Sequence, residues 1–139
     1  MAEKITLMII KPDAVSRGLT GPILNRITEE GFRISALKML QLTRSEAERF
    51  YEVHRGRPFY ESLVEFMISG PIVVGIMEKE NAVVEYRRLI GATDPARAEE
   101  GTIRKMYAES LQANAVHGSD SDANAVREAD FFFPASERF

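Results

Sequence analysis

Ile5-Thr6-Leu7-Met8-Ile9-Ile10, closed by Lys11-Pro12-Asp13, is the stretch on which the reading of the fold turns. It is a continuous, isoleucine-rich apolar run, the pattern of a strand buried on both faces. Proline cannot continue a central strand, so the run stops sharply after Lys11. Downstream, Thr20 is expected to cap a helix through about Glu30, with Ile23, Leu24 and Ile27 on one face and Gly31 as its stop. Arg33 to Leu42 alternates imperfectly and reads as a second strand. Thr43-Arg44-Ser45-Glu46 has the form of a capping box opening a short helix.

Pro58 to Met67 places Phe59, Leu63, Phe66 and Met67 at helical spacing, and Ser69-Gly70-Pro71 breaks that helix. Ile72 to Met77 is another apolar strand. Asn81 is expected to cap a helix through Ile90 that ends at Gly91. Ala92 to Thr102 has no apolar periodicity and reads as a long excursion with at most a helical turn. Loops of this length in compact domains are usually functional. Ala113 to His117 is short and strand-like, and Ser121 or Asp122 caps a last helix through about Phe132. The order strand, helix, strand, helices, strand, helix, strand, helix is an α/β pattern: an antiparallel or mixed sheet covered by helices.

The chain has 139 residues, about one domain's worth, and residues 1–139 are expected to form a single domain. Its 45% apolar and 28% charged content is that of an ordinary globular protein, and a net charge of −3 offers no basic field for nucleic acid. With no cysteine, disulfides, zinc–thiolate sites and thiol chemistry are excluded. The N-terminal MAEKITLMIIKPD lacks the parts of a signal peptide, and no stretch has the length of a membrane helix, so a cytoplasmic location is expected. Arginine far outnumbers lysine, and arginine suits bidentate phosphate or carboxylate recognition as well as surface pairing.

The segment richest in chemistry is Asn114-Ala115-Val116-His117-Gly118-Ser119-Asp120-Ser121. A histidine between a short strand and a glycine-containing turn exposes its imidazole to a ligand. There are two histidines, His54 and His117. His117 is either a turn residue bonded to its neighbours or a nucleophile. A nucleophilic imidazole attacks through one nitrogen while the other keeps its proton against an acceptor. Glu128, on the following helix, either supplies that acceptor, directly or through Ser119, or is solvated.

Phosphoryl transfer needs positioning and positive charge more than covalent help. Lys11, Arg87 and Arg104 stand where elements end or loops begin, and Thr93 adds a hydroxyl. Phe59 is either core or a stacking face for a nucleobase. Asp120 and Asp122 lie near His117 without the spacing of an EF-hand or HExxH site, so Mg²⁺ would ride on substrate phosphates. No Walker A or protein-kinase glycine loop is present. A nucleotide enzyme lacking both needs another phosphate strategy, and a histidine ringed by arginines is one.

These residues resemble the nucleoside diphosphate kinase family over nearly the whole chain. NAVHGSDS at Asn114–Ser121 matches the family signature. In the family's order stand IIKPDAVSRGLTGPIL (9–24), GFRISALKM (31–39), RPFYESLVEFMISGP (57–71), NAVVEYRRLIGATDP (81–95) and GTIR (101–104). The resemblance implies a ferredoxin-like α/β sandwich: a four-stranded antiparallel sheet covered by helices, with a long loop near residues 92–102. It implies reversible, ping-pong transfer of the γ-phosphoryl group of ATP or another nucleoside triphosphate to a nucleoside diphosphate, with Mg²⁺ on the nucleotide. Broad tolerance of base and sugar is implied too, as is a homo-oligomer, tetramer or hexamer.

By residue, the resemblance makes His117 the nucleophile through its δ nitrogen and Glu128 the group that orients it. Tyr51 would bond near the histidine and the transferred phosphate. Arg87, Thr93 and Arg104 would hold phosphates. Lys11 would contact the ribose 3′-hydroxyl and the transferred group, and Asn114 the ribose hydroxyls. Phe59 would stack on the base, with Ser119 and His54 supporting. The chain departs from the family at Lys105-Met106-Tyr107, at Asp94 and at Glu100, away from these residues but in loops that bear on packing and assembly. Two other classes compete on the residues alone: a histidine phosphocarrier that serves another protein, and a nucleotide-binding domain without catalysis.

Overall fold

The computed structural model describes residues 4–139; Met1–Glu3, the start of the N-terminal segment read above, lie outside the described residues. The strands are β1 (Ile5–Ile10), β2 (Arg33–Leu40), β3 (Ile72–Glu78) and β4 (Val116–Gly118). They form one sheet in the order β2-β3-β1-β4, with every neighbouring pair antiparallel. This is the ferredoxin-like arrangement. The helices are α1 (Pro12–Ser16), α2 (Thr20–Glu29), α3 (Arg44–Phe50), α4 (Tyr60–Met67), α5 (Ala82–Ile90), α6 (Ile103–Tyr107) and α7 (Asp122–Phe132).

The opening run behaves as its composition requires. Leu7 to Ile10 are fully buried and alternate between two cores. Leu7 and Ile9 pack with Phe50, Val64, Met67 and Phe132 of α3, α4 and α7. Met8 and Ile10 pack with Ala14, Ile23, Ile27, Tyr86 and Ile103 of α1, α2, α5 and α6. Helices therefore cover both faces, and a central strand between them is almost entirely apolar, fully buried Thr6 being the exception in β1.

Several local expectations shift. The imperfect alternation of β2 has a cause: the register slips between Ile34 and Ala36, leaving Ser35 as a bulge that moves later side chains to the other face. β2 also ends at Leu40 rather than Leu42. Thr20 is the first residue of α2 and not its cap, because the Leu19 carbonyl already accepts from the Ile23 N–H. Asn81 does stand at the N-cap of α5, but in the left-handed conformation and without a side-chain cap bond. Thr43 and Glu46 form the expected capping box, and Ser121 caps α7 by accepting from the Asn124 N–H. α4 begins at Tyr60, two residues after Pro58.

The excursion contains one 3₁₀ turn, Pro95–Arg97, capped by Asp94, whose carboxylate accepts from the Ala96 N–H at 2.9 Å. The asparagine frequent at this position has the same acceptor, so this departure preserves the turn. α6 follows at once, capped by Thr102, a helix that the pattern of the sequence did not disclose. β4 is shifted to Val116–Gly118 because Ala115 sits at φ 73°. For a non-glycine residue this conformation costs about 1–2 kcal/mol. Among the described residues, no helix is long and apolar enough to cross a membrane.

Candidate active site

β4 is short, and its alternation sorts three residues by face. His117 pairs with Ile9 and points to the α3/α7 side, where its ring meets Phe50 edge-on at 5.7 Å. Val116 and Gly118 pair with Ile10 and Met8 and belong to the α5 side. Gly118 is required by close approach. A Cβ there would lie 2.7 Å from two ring carbons of Tyr86 and 3.3 Å from Ile90 Cδ1. Tyr86 is fully buried and cannot withdraw. Gly118→Ala should therefore cost about 1–3 kcal/mol by overpacking. A lowered midpoint in urea denaturation at fixed protein concentration is the expected result, and an unchanged midpoint would contradict it.

The histidine is held by a chain of hydrogen bonds. Its Nε2 lies 2.9 Å from Glu128 Oε1, and the Ser119 hydroxyl donates to the same oxygen at 2.7 Å. Ser119 Oγ in turn accepts from the Leu7 N–H of β1 at 3.1 Å. Burial pushes the Glu128 carboxyl up, but the bonds from His117 and Ser119 and the nearby positive charge outweigh it and hold the group below its ordinary range. An ionised carboxylate can only accept, so Nε2 carries a proton, and in the neutral ring Nδ1 is then the nitrogen with the lone pair.

A line of rings leads away from His117. Phe50 contacts Tyr51 at 4.9 Å, Tyr51 stacks on His54 at 6.3 Å, and His54 meets Phe59 at 5.2 Å. Phe59 is 44% exposed, so it is not core despite its helical spacing. Among the described residues, the Tyr51 hydroxyl and His54 Nδ1 are buried without a hydrogen-bond partner. Burial, with Glu128's charge adding, pushes the Tyr51 phenol well up, so it stays a donor.

On the other side of β4 lies the cationic half. Arg104 is buried and fixed through two carbonyls: one terminal nitrogen donates to Gly91 O at 3.0 Å, the other to Val116 O at 2.9 Å. Gly91 has φ 89°, and a Cβ there would fall 2.6 Å from Thr102 Oγ1, so both conformation and space demand glycine. Arg87, Thr93 and Arg104 line a cleft of about 400 Å³ that also takes in Arg88 and Arg97. Arg97, inside the excursion, was not singled out from the sequence; its signal was an arginine in the one long loop.

Lys11 Nζ donates to Asn114 Oδ1 at 2.8 Å, and Asn114 Nδ2 donates to the Thr93 carbonyl at 3.2 Å. Burial and then the Arg104 charge pull the Lys11 pKa down to about 8, with Asp13 opposing. Burial pulls Arg104 down to about 10, Tyr86 opposing and the Arg87 charge adding, which still leaves it charged at neutral pH. Lys11 and Arg104, buried close enough for the charge of one to disfavour the other, are held unfavourably until an anion arrives, and Asp13 offsets only part of that cost. His117, Ser119, Glu128, Lys11, Asn114 and Arg104 thus gather around β4, Arg87 and Thr93 share the cleft with Arg104, and Tyr51, His54 and Phe59 connect to His117 only through the ring line. Among the described residues, no group of three or more histidine or acidic side chains could hold a metal.

Known proteins share this fold and much of this sequence. The sequence-family model described as nucleoside diphosphate kinase matches residues 4–138. The nucleoside diphosphate kinase of Lawsonia intracellularis is 60% identical over 133 residues, 96% of each chain. That of Flavobacterium psychrophilum is 58% identical over 139 residues, the whole of both chains. The structure superposes on the Aquifex aeolicus nucleoside diphosphate kinase with a TM-score of 0.96 at 43% identity, covering 98% of this chain and 99% of that one. For the Encephalitozoon cuniculi enzyme the TM-score is 0.92 at 35% identity, covering 96% and 91%. The chain belongs to the nucleoside diphosphate kinase family, a family of phosphotransferases.

Proposed function

We propose that this protein transfers the γ-phosphoryl group of ATP or another nucleoside triphosphate to a nucleoside diphosphate, reversibly and by a ping-pong route through phosphohistidine on His117. The observation that carries this reading is the bond from His117 Nε2 to Glu128, which leaves Nδ1 as the free nucleophile. Nδ1 attacks the γ-phosphorus; an N–P bond forms as the bond to the β–γ bridging oxygen breaks, and the diphosphate leaves with that oxygen. In the second half a terminal oxygen of the incoming diphosphate attacks phosphorus and the N–P bond breaks. Nε2 keeps its proton throughout, and Glu128 offsets the positive charge that develops on the ring.

The cationic half suits the phosphates: Arg87, Arg104 and Thr93 hold them, and Mg²⁺ enters as part of the nucleotide substrate, where it neutralises oxygens the arginines do not reach. Lys11 contacts the ribose 3′-hydroxyl and the transferred group, and Asn114 the ribose hydroxyls. The Tyr51 phenol donates near the transferred group, with His54 and Ser119 in support. Phe59 offers its face to the base. Stacking reads no base edge, which favours broad base and sugar tolerance. Residues 1–139 act as a single cytoplasmic domain within a homo-oligomer, tetramer or hexamer, and light scattering coupled to size exclusion measures that assembly.

Incubation with γ-labelled ATP, isolation of the protein and addition of GDP tests the reaction. Acid-labile, alkali-stable label that moves to GTP is the expected result. Protein that takes up no label sinks the proposal, and label that stays on the protein favours the phosphocarrier.

A pH effect follows from Lys11. In the ligand-free fold burial brings its pKa down to about 8, and nucleotide phosphates would hold its proton, so binding near pH 8 should take up protons. Nucleotide affinity then falls as pH rises through 8. The unfolded chain holds this proton up to about 10.5, so the ligand-free fold gains stability from this group between about pH 8 and 10.5. Calorimetric titration of a nucleoside diphosphate at pH 8, in buffers of different ionisation enthalpy, reads the proton count directly. Proton release would contradict the assignment.

A further inference from the structure

The turn that delivers β4 is held from outside, and by a residue with no assigned part in the reaction. Ala115 is fully buried at φ 73°, and alanine has no side-chain polar group with which to stabilise a left-handed backbone. Two bonds from one distant segment clamp it. The Lys11 N–H donates to the Ala115 carbonyl at 2.8 Å. The Ala115 N–H donates to Asp13 Oδ2 at 3.1 Å, across 102 positions of sequence. Asp13 lies in the first turn of α1, close to its own N–H and that of Ala14, and its Oδ2 accepts in addition from Ala115. Asn114, immediately before the clamped residue, bonds through its side chain to Lys11 at 2.8 Å and to the Thr93 carbonyl at 3.2 Å.

We propose that Asp13 is a positioning residue for nucleotide binding: its carboxylate holds the left-handed Ala115 turn and thereby fixes the Asn114 side chain between Lys11 and the Thr93 loop. The inference rests on the reading that Lys11 and Asn114 hold the nucleotide. Of the two clamping bonds, the one from Lys11 is made by backbone and survives any substitution. The one to Asp13 depends on a side-chain acceptor. Asp13→Asn keeps an oxygen in place, whereas Asp13→Ala removes it and leaves the Ala115 N–H buried and unpaired. Ala115→Gly makes the left-handed conformation available without a clamp.

The test is a cycle of kcat/KM for a nucleoside diphosphate, per folded enzyme, with thermal midpoints measured alongside. Asp13→Ala should lower kcat/KM about tenfold, the scale of a close coupled pair. Assayed at about pH 6, where Lys11 stays charged without the Asp13 carboxylate, Asp13→Asn should stay near the parent, and Asp13→Ala combined with Ala115→Gly should recover most of the loss. In an Asn114→Ala background, Asp13→Ala should cost less than about twofold, because the side chain it positions is gone. Equal losses in both backgrounds, or a fall in thermal midpoint with kcat/KM unchanged, overturns the proposal and makes Asp13 merely structural. If Asn114→Ala alone has the parent's kcat/KM, the nucleotide-holding reading fails and takes this one with it. The cycle is read by turnover and the phosphohistidine by label on His117, so the two failures are separable.

Discussion

His117→Ala should lower nucleotide phosphotransfer by about four orders of magnitude or more, the scale seen when a covalent nucleophile is removed, and should leave the fold in place. No cysteine or second imidazole takes its place: the chain has no cysteine, and the other histidine, His54, belongs to the ring line on the Phe59 side with its Nδ1 buried. The structural cost is small. The side chain is 18% exposed, and its loss removes one bond to Glu128 and one edge contact with Phe50. Glu128 keeps the Ser119 hydroxyl, so the expected stability loss is about 1 kcal/mol. A coupled assay, the label-transfer experiment and a urea curve measured together separate the two effects. Turnover near that of the parent, or label taken up by the variant, would remove His117 from the mechanism.

The largest effect on stability is expected from Phe50→Ala. Phe50 is 2% exposed and touches four rings: Tyr51 at 4.9 Å, Phe132 at 5.2 Å, Phe131 at 5.3 Å and His117 at 5.7 Å. Truncating such a residue costs about 3–5 kcal/mol in lost transfer energy and residual cavity. A domain of this kind typically has only about 5–15 kcal/mol in total. The urea midpoint should fall steeply with its slope unchanged. Phe50→Leu, which refills most of the volume, should lose less than half as much. The same ring walls one side of His117, so phosphotransfer per folded molecule should fall as well. A loss below about 1 kcal/mol would show that the aromatic cluster collapses around the gap.

What the sequence disclosed follows physical lines. β1 and β3 were legible because a strand buried on both faces is apolar at nearly every position, and no exposed face dilutes the pattern. β2 was blurred by one residue: the bulge at Ser35 shifts the register, and a period of two cannot survive it. α6 was hidden because it has five residues and follows a loop without periodicity. β4 starts three residues later than expected and ends one later because Ala115 turns left-handed, and nothing in an alanine announces that. In the site, residue types and the family resemblance picked out His117, Glu128, Lys11, Arg87, Arg104 and Asn114. Their convergence around β4 is a property of the strand order, which periodicity does not encode. Asp13 escaped notice for the same reason: its partner is 102 positions away.

His117 sits in the ladder itself, opposite Ile9, rather than on a loop or a tether. A ring pinned by β1 on one side and by Glu128 on the other has no arm with which to carry its cargo elsewhere. Under the proposed reaction, donor and acceptor must come to the same berth in turn, and the departing diphosphate blocks the arriving one. At high concentration a nucleoside diphosphate should therefore occupy the unphosphorylated enzyme unproductively, so the throughput of this protein is set by the ratio of triphosphate to diphosphate around it as much as by either concentration.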